Sequence, residues 1–205
     1  MDTIIFKKCI IIIVIIYAFN IISCALNQHL EHKSEEFYEL VKSENKIKIY
    51  DIIHHNLPSV RNLARLSDIL VCLSVLIIGI IDLNLFFQLI GYLITILVVR
   101  LFTIHLTILP KDKKCCIKNY SMLTGGCYDK VYSGHFASFF MSLLLLYKNG
   151  YINTYVFIPL STMMAGLLII SRVHYTIDIF VAFLICIIVY QNNINICTIL
   201  DKYVK

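Results

Sequence analysis

The chain has 205 residues, 59% of them hydrophobic and only 15% charged, with a mean hydropathy of +0.80. Those values exclude an ordinary water-soluble domain, whose single core could not absorb so many apolar residues. A net charge of +5 with no basic tract interleaved with aromatics gives no basis for a nucleic-acid partner.

A bilayer-crossing helix needs about 20 apolar residues, within a range of about 17–25. The first candidate is Cys9–Leu26, preceded by Lys7 and Lys8, and it reads as a transmembrane helix or retained signal anchor. Residues 27–65 are polar, charged on all sides, and predict a loop with short surface helices. The apolar run that follows is too long for one span. "DLN" (Asp82–Asn84) interrupts it with turn formers, predicting spans over Leu66–Ile81 and Leu85–Leu109, the second ended by Pro110. Beyond a second polar stretch come three more spans, His135–Tyr147, Tyr151–Ile170 and His174–Tyr190, with "KNG" turning the chain between the first two. The expectation is an all-α, polytopic membrane bundle of about six transmembrane helices. Residues 1–26 form its N-terminal helix, 27–65 a polar loop, 66–191 a catalytic bundle and 192–205 a C-terminal tail.

Eight cysteines are present, four of them in or beside apolar runs, where a free thiol behaves as a small hydrophobe. Cys115, Cys116 and Cys127 share one polar loop and could pair in a lumenal compartment. Without a Cys-x-x-Cys pair or a histidine in that loop, zinc is disfavoured.

"SRVHYTIDIF" (Ser171–Phe180) places ionisable groups at the edge of a span, where they are costly and by default mark a functional site. On a helix, His174 and Asp178 share a face at i, i+4, and the carboxylate would fix the imidazole's tautomer. In "YSGHF" (Tyr132–Phe136), Ser133 and Gly134 allow a tight turn into the next span and leave amides near a helix N-terminus, a natural anion site. Two spans separate His135 from His174, so both lie on one side of the membrane whichever way the protein is inserted. Two histidines, an aspartate and an anion pocket at one surface suit phosphoryl transfer on a lipid headgroup. One imidazole attacks phosphorus while the other moves protons. Arg100, Arg172 and the basic stretch Lys111–Lys118 are the candidate phosphate-holding cations.

These residues resemble the phosphatidic acid phosphatase type 2 superfamily, and most closely its sphingomyelin synthase-related branch. "CYDKVYSGHF" (Cys127–Phe136) is similar to that branch's Cys-Gly-Asp segment running into Ser-Gly-His-Thr, and "HYTIDIF" (His174–Phe180) to its His-Tyr-Thr-x-Asp-Val segment. Weaker echoes are "RLFTIHLTILP" (Arg100–Pro110) and "YDIIHHNLP" (Tyr50–Pro58), so the order matches over roughly residues 50–190. The resemblance implies His174 as nucleophile, Asp178 as its orienter and His135 as acid and base, with no metal and no cofactor. It implies glycerophospholipid and ceramide as substrates, exchange of a phospho-headgroup between them, and diacylglycerol as product. Tyr128 and Phe136 depart from the branch's Gly and Thr, and Arg172 stands only two residues before His174.

Lys7 and Lys8 favour a cytosolic N-terminus, which would put both histidines on the lumenal or exoplasmic face of an endomembrane or plasma membrane. The lysines and arginines of the two large loops favour the opposite orientation. Two other readings remain open at this point: a lipid phosphate phosphatase using water as acceptor, and a non-enzyme using its histidines for haem or ion passage. Headgroup and oligomeric state are not legible in the sequence.

Overall fold

A computed structural model describes residues 3–42, 51–57, 59–60, 63–106 and 131–198. Every regular element among them is helical: α1 (Thr3–Lys42), α2 (Ile52–Asn56), α3 (Ala64–Ile81), α4 (Leu83–Leu106), α5 (Gly134–Lys148), α6 (Thr154–Ile170) and α7 (Thr176–Gln191). The polar stretch carrying Cys115, Cys116, Cys127 and Tyr128 lies outside the described residues.

The chain divides into two compact units, the first comprising Met1–Ile49, Leu101–Val131 and Leu200–Lys205, the second Tyr50–Arg100 and Tyr132–Ile199. Within the first, α1 continues 16 residues past Leu26, into the segment expected to be a polar loop with short surface helices. Residues 27–42 contain no Gly or Pro and are rich in Glu, Lys and Leu. Polarity there marks where the helix would leave an apolar environment, not where it stops.

The second unit is built around α5, which packs against α3, α6 and α7. Its residues from Phe139 to Leu146 are all buried, so α5 is apolar on every side and forms the central post. The surrounding helices turn large apolar side chains outward: Leu66, Ile69, Leu76 and Ile80 on α3, and Ile177, Phe180 and Ile188 on α7. An outer surface of that kind belongs in lipid, where helices satisfy their own backbone groups. Among the described residues, three stretches are long and apolar enough to cross a membrane: Ala64–Ile81, Leu83–Thr103 and Thr176–Thr198. Ile10–Leu26 and Thr154–Ile170 are apolar but shorter, as is α5 at 15 residues.

Local chemistry sets the boundaries. Asp82 breaks the long apolar run, its carboxylate accepting the amides of Asn84 (2.8 Å) and Leu85 (3.2 Å) at the start of α4. At "KNG", Gly150 adopts φ 79°, the left-handed turn that closes a helix C-terminus, and its amide donates to the Tyr147 carbonyl. Asn153 then caps α6 by accepting from the Val156 amide at 3.1 Å.

Candidate active site

Two loops meet at one end of the second unit. Ser133 caps α5, its Oγ accepting from the Phe136 amide at 3.2 Å, and its own amide donates to the Asp178 carbonyl at 3.3 Å. The entry to α5 is thereby tied to the first turn of α7. Tyr132, fully buried, wedges this entry, and burial pushes its phenol well above the ordinary range, so it stays neutral. Gly134 is the first residue of α5 and has no left-handed φ. The turn into the helix therefore does not depend on glycine's backbone freedom. What lies over Gly134 is the Arg100 guanidinium, since a Cβ there would sit 3.5 Å from its Cζ, Nε and Nη1.

His174 lies in the turn before α7, not on the helix. Tyr175 is the N-cap and Asp178 the third helical residue, so the pair is joined through capping geometry. Asp178 Oδ2 accepts the Tyr175 amide at 2.9 Å and lies 3.3 Å from His174 Nδ1. Both side chains are withdrawn from solvent, His174 at 4% exposure and Asp178 at 0%. An acceptor at Nδ1 sets the tautomer that leaves Nε2 with its lone pair.

The rings of His135 and His174 stand 6.3 Å apart between centroids, so the structure brings both histidines and Asp178 together. His135 has a partner that sequence reasoning missed: Asp68 of α3, whose Oδ1 is 2.9 Å from His135 Nε2. The signal was a lone carboxylate inside an apolar run, "LSDIL", which by itself marks a functional position. This second pair is much wetter than the first, with side-chain exposures of 29% for His135 and 61% for Asp68.

Arg172 is placed differently from Arg100. It holds φ 62°, a strained backbone for a non-glycine residue, and its Nη2 donates to the Leu57 carbonyl at 2.8 Å. Asp51, also missed, accepts both the amide and the hydroxyl of Thr176, at 2.7 and 3.0 Å. Among the described residues, no three His, Cys, Asp or Glu side chains group as a metal site would require.

Residues 126–194 match the family model described as PAP2 superfamily C-terminal, a stretch of about a third of the chain that contains both histidine loops. The match supports membership of the PAP2 superfamily. PAP2 proteins are phosphatases or phosphotransferases, which supports an enzyme acting on lipid phosphates. Comparison with curated proteins and with solved structures returned no match. The PAP2 stretch holds α5, α6 and α7, whereas Arg100, Asp68 and Asp51 come from outside it.

If Asp68 orients His135, Asp68→Asn should lower turnover, but by less than the roughly 10²–10⁴-fold that a general acid–base group supplies. In a His135→Ala background the same change should add no further loss, because its target is gone. Turnover of the two single variants and the double variant checks both statements.

Proposed function

We propose that the protein transfers a phospho-headgroup from a glycerophospholipid to ceramide, releasing diacylglycerol, through a phosphohistidine on His174. The observation that carries this reading is the convergence of His135 on a buried His174 whose Nδ1 faces Asp178. In the first half-reaction His174 Nε2 attacks phosphorus and a P–N bond forms. The P–O bond to diacylglycerol breaks, and His135 gives that departing oxygen a proton. Asp178 stabilises the imidazolium that results. In the second half-reaction His135 takes a proton from the primary hydroxyl of ceramide, whose oxygen attacks phosphorus as the P–N bond breaks.

Charge on the phosphoryl oxygens would be met by the Arg100 guanidinium and by the N-terminal end of α5 at Gly134, which lie against each other. Arg172, whose Nη2 donates to the Leu57 carbonyl, is the second candidate for that role. The identity of the acceptor rests on the sphingomyelin synthase-like motifs around His135 and His174. A PAP2 site acting as a lipid phosphate phosphatase, with water as acceptor, would release inorganic phosphate instead.

The test expresses the full chain in membranes with a fluorescent ceramide and separates the lipids. Wild type is expected to yield a phosphorylated ceramide lipid, and His174→Ala and His135→Ala are not. A wild type that forms no such product, or either variant matching it, would end the transferase reading. Release of inorganic phosphate from a lipid phosphate, without a ceramide product, would identify a phosphatase.

A further inference from the structure

Residues 51–60, just before α3, are fastened to the turn that carries His174. The Val60 amide donates to the Ile170 carbonyl at 3.0 Å, at the end of α6. Arg172, within the turn, reaches the Leu57 carbonyl, and Thr176, at the start of α7, is held twice by Asp51. Asp51 also accepts the Ile53 amide at 3.0 Å, so one carboxylate organises α2 and anchors α7. This segment therefore lies at the level where α3 begins, α6 ends and α7 begins.

Among its described residues, four large apolar side chains are exposed beside the polar Asn56 and Ser59. Ile52 is 67% exposed, and Ile53, Leu57 and Val60 are exposed as well. In water such exposure on a ten-residue strap would be a liability. Leu66 and Ile69, the first outward-facing large apolar residues of α3, follow within the next turns of chain. The 18 residues of α3 span about 27 Å, close to the ~30 Å hydrocarbon core of a bilayer. With Asp82 marking one end of that length, the strap falls at the other, where hydrocarbon gives way to headgroups.

We propose that residues 52–60 form an interfacial strap, seating Ile52, Ile53, Leu57 and Val60 at the headgroup–acyl boundary of the bilayer. Their half-buried polar anchors, Asp51 and Arg172, then hold the His174 turn at the depth of a phospholipid phosphate. The arrangement suits an interfacial segment, with apolar side chains exposed beside Asn56 and Ser59 and the Asp51 carboxylate turned to Thr176. The placement follows from the bundle and does not depend on which reaction the site performs.

The chain contains no Trp, so a single introduced indole is a unique reporter. Leu57→Trp and Ile52→Trp, each in the otherwise unchanged full chain, are reconstituted in phosphatidylcholine vesicles. The vesicles contain lipids brominated either close to the glycerol or near the acyl terminus. Leu76→Trp, facing outward from the middle of α3, serves as the deep reference. Both strap reporters should show blue-shifted emission, strong loss of intensity with the shallow bromolipid, weak loss with the deep one, and little access to iodide. Water-like emission with full iodide quenching would overturn the proposal, as would a quenching pattern equal to that of Leu76→Trp. Two reporters guard against one that fails to fold, and a chain inactive on ceramide would still give the expected pattern.

Discussion

Replacing His174 with alanine is expected to abolish turnover, by at least about 10³-fold, while leaving the fold close to intact. The imidazole is nearly fully buried beside Asp178, and when it is removed the Tyr175 amide keeps the Asp178 carboxylate as its acceptor. Asp178 is a different case. Its Oδ2 serves both the Tyr175 amide and His174 Nδ1 inside the bundle, so Asp178→Ala removes an acceptor from two donors at once. A buried donor without a partner costs about 1–3 kcal/mol, and the first turn of α7 loses its cap in addition. Asp178→Ala should therefore lose both activity and stability, whereas Asp178→Asn, which keeps the volume and one acceptor oxygen, should lose mainly activity. The amide cannot stabilise an imidazolium and can present an N–H where the tautomer requires an acceptor, a defect worth up to about 10⁴-fold in comparable triads. Single-turnover assays with headgroup-labelled phospholipid, trapping acid-labile label on the protein, read the first effect. Thermal unfolding in detergent reads the second. Label trapped at wild-type levels on His174→Ala would remove this residue from the reaction.

The sequence made this constellation readable for two reasons of unequal quality. Span counting places His135 and His174 on one side of the membrane because α5 and α6 intervene, and the 6.3 Å ring separation accords with it. The pairing of His174 with Asp178 was read from helical periodicity, yet His174 lies outside the helix. The four-residue spacing works because a side chain just before an N-cap also lies near the third helical residue. Asp68 and Asp51 were not found: Asp68 stood out as a carboxylate in an apolar run, but the partners lie 67 and 125 residues away and no local pattern pairs them. The extension of α1 past Leu26 was missed because polarity was read as a loop signal when nothing in residues 27–42 breaks a helix.

The largest structural effect is expected at Gly91 of α4. On propensity alone Gly→Ala within a helix stabilises by about 1 kcal/mol. Gly166 of α6 meets that condition, since a Cβ there would touch nothing, and Gly166→Ala should raise thermal stability accordingly. At Gly91 the sign should reverse. A Cβ would overlap Asn195 Oδ1 and stand 3.0 Å from Cys197 Cβ. Asn195 is a peg, 1% exposed, whose Nδ2 donates to the Gln88 carbonyl at 2.9 Å and whose Oδ1 accepts the Cys197 amide at 2.9 Å. One residue further along α4, the Tyr92 hydroxyl donates to Asn193 Oδ1 at 2.8 Å, so the chain leaving α7 is keyed to α4 through the space a missing side chain provides. Displacing the peg would leave a buried amide and its partners unsatisfied, costing about 2–4 kcal/mol and outweighing the propensity gain. Thermal unfolding in detergent, followed by circular dichroism, should then place Gly91→Ala below wild type and Gly166→Ala above it. Combining Gly91→Ala with Asn195→Ala should cost less than the sum of the two, because the overlap disappears with the peg. If Gly91→Ala instead rises in step with Gly166→Ala, helix propensity governs this position and the chain beyond α7 is not held by Asn195.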